Sequence, residues 1–450
     1  MPCGIATGQR IGEPLLLLLP LLPLLPLLPL DLSHNCGPRV AWVDFDLFDP
    51  RFHDDPYPHY AAMREEGPVH QSPLGSLVFT RHRECQAILR DRRMSSDQRN
   101  ADPEVLSRSR ASSLLGPDDP LGEALSEMAP FLFRDPPDHT RLRGLVQKAF
   151  TPRVVEGMQP FVERVVDELL ERAFEEGEVD LVASYAYPLP VRVIAELLGV
   201  PPDDQERFEA WSHALARGVD PELLLPPEAV QERLEAILSF VKYFSELLDD
   251  RRRDPGDDLL SGLIAAEEAG EVLTQGEMLS TCILLLVAGH ETTVNLISGA
   301  LLALVEHPDQ MAALKEQAGI ERRAVEEMLR FVSPVQLTGR VALEDVEIAG
   351  AKVAKGHFAT VLIGSANRDP DVFEDPERFD LTREDNPHLG FGFGIHHCLG
   401  GPLARLEARV AVPALVRRAR RIELVTDHPA YKDNLVLRGL AELPAVLEPV

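Results

Sequence analysis

The chain has 450 residues, with 45 Lys+Arg against 73 Asp+Glu for a net charge of −28, and it is 45% hydrophobic and 6% aromatic. That composition belongs to a globular protein able to bury a large core, and the acidity argues against nucleic acid or an anionic membrane surface as the main partner. The five cysteines (Cys3, Cys36, Cys85, Cys282, Cys398) are odd in number and scattered without a CxxC pair, which argues against a disulfide framework, a structural zinc site or an iron–sulfur cluster.

Residues 14–30 read PLLLLLPLLPLLPLLPL, with 12 Leu and 5 Pro. Uncharged and following Arg10, the stretch invites a membrane anchor or an export signal. It is short for a span, its prolines break helical hydrogen bonding, and no clean small-residue cleavage site follows. It reads as a disordered, low-complexity leader over residues 1–40, with anchor and signal as minority readings and a cytoplasmic location favoured. Folding is expected to start near Trp42, as one domain over 41–450.

From Pro56 to about Gly319 the pattern is mostly helical. Phe161–Glu175 and Val230–Asp249 carry apolar residues at three- and four-residue steps. Strand-like pieces are short: Ser76–Thr80, then a β-branched, alternating cluster from Thr338 to Gly364. Mostly helix with a minor sheet is an α+β arrangement, mainly α, without alternating βαβ units.

Thr274 and Glu277 have capping-box spacing, so a helix is expected from Glu277 to Glu306, before His307-Pro308. Residues 282–288 (CILLLVA) are apolar on every face, which marks a buried central helix. Ala288-Gly289-His290-Glu291-Thr292-Thr293 interrupts that run. Burying an acid and hydroxyls is costly without partners. Ala288 and Gly289 leave room for something to approach the backbone, and Thr292 is able to bond back one turn and open the helix locally. The bland alternative is a tolerated polar kink. A zinc-protease HExxH is ruled out, because Val294 stands where the second histidine belongs.

The loop Phe391-Gly392-Phe393-Gly394-Ile395-His396-His397-Cys398-Leu399-Gly400-Gly401 precedes a helical run from Leu403 to Arg418. It fails as a dinucleotide fingerprint, because His397 occupies the last glycine position. It makes sense as a ligand loop. A cysteine just before a helix start faces free backbone N–H groups, and flanking glycines let a flat cofactor lie close. A thiolate there is a suitable axial ligand for haem iron.

Together these residues resemble the cytochrome P450 superfamily of haem-thiolate monooxygenases, in its soluble bacterial form. The haem-ligand signature is matched by Phe391, Gly394, His396, Cys398 and Gly400, and the oxygen-activating motif by Ala288 to Thr293. The family's ExxR is Glu327-Met328-Leu329-Arg330 and its PERF segment Pro376-Glu377-Arg378-Phe379. Asp135–Arg143 and Ala366–Pro370 extend the likeness over roughly residues 45–450.

The resemblance implies a long central helix over a haem b, small antiparallel sheets, and Cys398 as the iron ligand. It implies that Phe391 shields the sulfur and that His139, Arg143, Arg340 and His396 hold the haem propionates. The i, i+4 spacing of His139 and Arg143 puts both on one helix face, which supports this independently, although the spacing alone is equally that of a solvated face. Glu327, Arg330 and Arg378 would form a buried structural ion triad. Glu291 and Thr292 would deliver protons during dioxygen activation. Leu284, Val287, Ala288 and Gln336, with the loop around Met94–Leu121 and the segment Ala214–Pro227, would line the substrate pocket.

Electrons would come from NAD(P)H through an external ferredoxin or flavodoxin and its reductase, since the chain has no room for a flavin domain. Arg405, Arg409, Arg417, Arg418, Arg420 and Arg421, and Arg81, Arg83, Arg90, Arg92 and Arg93, form two basic clusters suited to an acidic carrier. The expected reaction is insertion of one oxygen atom of O2 into a small, largely apolar molecule. A peroxide-driven peroxygenase and a non-catalytic haem-binding protein are the rival readings.

Overall fold

The computed structural model describes residues 41–42, 50–72, 75–105, 128–204, 207–220, 225–268 and 273–450. The leader, most of the loop around Met94–Leu121 and part of Ala214–Pro227 lie outside them. The compact unit bearing the site runs from Arg39 to Val450.

Amphipathic periodicity produces the expected helices, slightly extended: Gln159–Glu176, Pro227–Arg253 and Gly401–Arg418. Pro402 sits in the first turn of the last, where a missing N–H costs nothing. The central helix spans Gln275–Glu306 and starts two residues earlier than expected. Its capping box is complete: Glu277 N–H donates to Thr274 Oγ1 at 3.2 Å and Thr274 N–H to Glu277 Oε2 at 2.9 Å. By length and composition this helix is apolar enough to cross a membrane, but most of it is buried against protein, as a core helix is. Helices Pro188–Leu198, Pro227–Arg253, Glu321–Val332 and Gly401–Arg418 pack around it.

The sheets correct one expectation. A three-stranded sheet (Ala419–Leu424, Pro444–Pro449, Glu178–Asp180) and the hairpin Val346–Ile348/Ala351–Val353 are antiparallel. The largest sheet has six strands and is mixed. Its order is Ala41–Trp42, Val69–Gln71, Leu77–Phe79, Phe358–Leu362, Leu337–Ala342, Met94–Ser95. Two of its pairings are parallel, Ala41–Trp42 with Val69–Gln71 and Leu77–Phe79 with Phe358–Leu362. Parallel neighbours need long connections, and here helices supply them. Strand Leu337–Ala342 carries Arg340 towards the cysteine loop.

Candidate active site

Cys398 lies between a short helical turn, Gly394–His396, and the helix Gly401–Arg418. Its N–H donates to Phe391 O at 2.8 Å, closing the loop on itself. The residue has accessible surface, although the surrounding protein desolvates its sulfur. Burial raises the thiol above its ordinary range, while the N–H groups of Gly400 and Gly401, then Arg143 and Arg405, pull the other way. The helix-start donors are therefore present as expected, yet burial outweighs them, and metal binding is what would release the proton. Gly394 has φ +74° and a Cβ there would lie 2.6 Å from Leu89 O. A side chain there would therefore strike the helix His82–Arg90 behind the loop.

The four residues expected at the propionates converge. The His139 and His396 rings are 4.3 Å apart, and Arg143 Nη2 donates to His397 O at 2.6 Å. Burial, then Arg340, His139 and Arg143, push His396 down to about 3. Burial likewise lowers Arg340 to about 10. Among the described residues none of the four makes an ion pair with a carboxylate, and the nearby Asp135 is occupied by Ser95 Oγ at 2.5 Å and Ser96 N at 3.1 Å. His139 Nε2 and His396 Nδ1 are buried without a partner. Two arginines without a carboxylate partner, beside two imidazoles with buried, unpartnered ring nitrogens, form a set that two carboxylates of a bound group would satisfy. With Cys398 exposed at the same loop, this donor set fits haem.

On the central helix, Ala288 is exposed and Thr292 partly so, in the middle of an otherwise buried element. Thr292 Oγ1 donates back to Ala288 O at 3.0 Å and His290 Nδ1 sits 2.7 Å from Leu286 O. The helix nevertheless stays continuous through this turn. What approaches at Gly289 is Ile194, 3.1 Å from a would-be Cβ, so this glycine seats the neighbouring helix.

Glu291 is 2% exposed and meets a partner the sequence reading missed: Lys432 Nζ donates to Glu291 Oε1 at 2.5 Å and to Asn295 Oδ1 at 3.4 Å. Lys432 stands on the turn 430–441, held by Lys432 N–H to Gly439 O at 2.9 Å and Ala441 N–H to Ala430 O at 2.8 Å. Gly439 presses on the central helix so closely that a Cβ would fall 1.9 Å from Asn295 Oδ1. Asp220 accepts N–H bonds from Leu435 (2.9 Å) and Val436 (2.8 Å) on the same turn.

The ion triad needs a correction. Glu327 and Arg330 are fully buried and paired twice, Nε to Oε2 at 2.8 Å and Nη2 to Oε1 at 2.7 Å. The second arginine on Glu327 is Arg383, with Nε 3.2 Å from Oε2. Arg378 contributes only its carbonyl, accepting from Arg330 Nη2 at 2.9 Å. Its guanidinium is 61% exposed and 3.9 Å from Asp380.

The pocket and the basic clusters need corrections too. Leu284 and Val287 are half-buried beside exposed Ala288, but Gln336 turns inward. Gln336 is buried, donating from Nε2 to Ser333 O at 2.8 Å, with Oε1 2.3 Å from a would-be Cβ on Gly364. Of the arginines, Arg405, Arg417, Arg418 and Arg420 are tied to Glu326, Glu321, Asp167 and Glu448, Arg421 to Glu423, Arg81 to Asp371 and Arg93 to Asp91. Such pairing cancels most of the proposed positive field. Arg83, Arg90 and Arg92 remain exposed, and Arg90 lies against the cysteine loop through Gly394.

A family model described as Cytochrome P450 matches residues 226–319 and 320–439. The polyketide biosynthesis cytochrome P450 PksS of Bacillus subtilis (strain 168) is 39% identical over 414 residues, covering 89% of this chain and 98% of the relative. The 6-deoxyerythronolide B hydroxylase of Saccharopolyspora erythraea is 40% identical over 414 residues, covering 90% and 98%. Among solved structures, CYP164A2 of Mycobacterium smegmatis superposes with TM-score 0.79 at 42% identity, covering 89% of this chain and 98% of that one. An accessible cysteine at a helix start, a carboxylate-seeking cationic cluster and likeness along nearly the whole folded unit place this chain in the cytochrome P450 family of monooxygenases.

Proposed function

We propose that this monooxygenase inserts one oxygen atom of O2 into a small, largely apolar secondary metabolite, by hydroxylation or epoxidation, in the cytoplasm. The relatives named for polyketide biosynthesis and 6-deoxyerythronolide B hydroxylation support that substrate class. Electrons come from NAD(P)H through a ferredoxin or flavodoxin and its reductase, docking over the cysteine loop where Arg90 stays exposed.

Cys398 binds the haem iron, and His139, Arg143, Arg340 and His396 hold the propionates. Haem so bound supplies dioxygen activation and oxygen-atom transfer. Phe391 shields the sulfur, and Gly400 and Gly401 donate to it. Leu284, Val287 and Ala288 form an apolar wall that excludes water from the reacting face. Thr292 holds a hydroxyl at that face, and Glu291 carries protons towards it from the solvent side after leaving Lys432.

The observation that carries the monooxygenase reading over a peroxygenase is the buried acid Glu291 immediately before the partly exposed Thr292. A peroxide-driven reaction needs no such relay. The test is the carbon monoxide difference spectrum of the reduced enzyme, followed by turnover with NAD(P)H and carriers against turnover with peroxide alone. A missing red-shifted thiolate band rejects the cysteine ligation. Turnover with peroxide only, and none with carriers, rejects the dioxygen reaction.

A further inference from the structure

The helix after the cysteine loop carries a cation to which the proposed mechanism gives no part. The Arg405 guanidinium carbon lies 4.4 Å from the centroid of the Phe391 ring. It is held there at two points, with Nε 2.6 Å and Nη2 2.8 Å from the two oxygens of Glu326. Glu326 is fixed in turn, since His388 Nε2 lies 3.0 Å from Oε2. His388 Nδ1 accepts the Gly390 N–H at 3.1 Å, so the ring proton resides on Nε2 and is donated to Glu326. Gly401 keeps the space open: a Cβ there would sit 3.3 Å from Arg405 Nη1 and 3.7 Å from the Phe391 ring. Phe391 itself accepts the Cys398 N–H at 2.8 Å.

This is a clamp of five residues ending on the ligand cysteine. A guanidinium over an aromatic face is attracted to the ring's electron density, more strongly where water is excluded. Charges and hydrogen bonds around a cysteine ligand tune how much density its sulfur gives the metal. We propose that Arg405 is a positioning residue that sets the electron donation of Cys398: its cation, fixed over Phe391, draws density towards the sulfur and away from the iron. Glu326 sets the strength of that pull by partly neutralising the guanidinium. The inference rests on the haem-thiolate reading above, and it removes Arg405 from the carrier-docking surface.

Potentiometric titration of the haem-loaded enzyme tests it, with the reduced carbon monoxide spectrum recorded alongside. Removing a fixed cation destabilises the more negative, reduced state. Arg405→Met therefore shifts the one-electron equilibrium about tenfold towards the oxidised form, a fall of 59 mV. Arg405→Lys restores most of that shift. Glu326→Gln moves the potential the opposite way, because the guanidinium loses its counter-charge. Equal potentials in Arg405→Met and wild type, or shifts of the same sign in Arg405→Met and Glu326→Gln, overturn the proposal. So does a variant with unchanged potential and altered salt dependence of electron transfer, which would return Arg405 to docking. Where Arg405→Met does not retain haem, Arg405→Lys and Glu326→Gln decide by the same signs. Absence of the thiolate band in wild type instead rejects the parent reading.

Discussion

Lys432 Nζ and Glu291 Oε1 are 2.5 Å apart although the residues stand 141 positions apart in the chain. Their side chains are 11% and 2% exposed, so this is a buried ion pair between the central helix and the C-terminal turn. Removing one member of such a pair strands a charge in low dielectric. Lys432→Met should cost about 3 kcal/mol of stability at neutral pH, the usual scale for an uncompensated buried charge. The cost should largely vanish in Lys432→Met with Glu291→Gln, where no charge is left stranded. Urea unfolding of the four proteins at neutral pH measures this, and a cost undiminished in the double variant would show that Lys432 acts only through packing.

The corrected triad separates two arginines that lie close in sequence. Arg383 reaches Glu327 through its side chain, whereas Arg378 offers Arg330 only a backbone carbonyl that any residue supplies. Arg383→Ala should cost roughly 3 kcal/mol and lower haem incorporation on expression, as loss of a buried partner does. Arg378→Ala should fall within about 0.5 kcal/mol of wild type, as exposed substitutions do. Haem content per protein and denaturant midpoints for both variants decide it, and equal damage from the two would restore Arg378 to the triad.

These cases mark what is legible in the chain. The central helix is legible because its capping box and apolar run are local, acting over one turn. The cysteine loop is legible for the same reason. Arg383 is not, since which arginine turns inwards depends on the path of the chain between Arg378 and Arg383. Lys432 is not either: burying Glu291 demands a cation somewhere, but nothing nearby gives its address. Gln336 shows the reverse failure. The family resemblance put it at the pocket, yet Ser333 O draws its side chain inwards. The parallel pairing of Leu77–Phe79 with Phe358–Leu362 escapes detection because it joins segments separated by most of the domain.

Thr292 tests the relay itself. Its hydroxyl now donates to Ala288 O at 3.0 Å, so losing it breaks no tertiary contact, and the substitution should leave the fold intact. Thr292→Ala should keep the thiolate spectrum and the rate of NAD(P)H use within a few-fold, while most electrons leave as hydrogen peroxide rather than product. Peroxide and product yields per NAD(P)H measure the split. Normal coupling in this variant would remove Thr292 from proton delivery.

Acid stability probes the clamp behind the cysteine loop without reference to turnover. Burial alone would raise Glu326, but hydrogen bonds from Arg405 and His388 outweigh it and hold the carboxyl at about 2, against 4.5 ordinarily. A carboxyl depressed on folding contributes stability that is complete above its unfolded value and lost as pH falls towards its folded one. The window is therefore about pH 4.5 down to about 2. The contribution is on the order of 2 kcal/mol, discounted because the side chain is 30% exposed. Glu326→Gln cannot titrate, so its stability should fall less steeply than wild type through that window, and the two curves should converge towards its acid end. Urea midpoints at intervals of about half a pH unit resolve the difference in slope, and parallel curves would show that Arg405 and His388 do not hold Glu326 in its charged form.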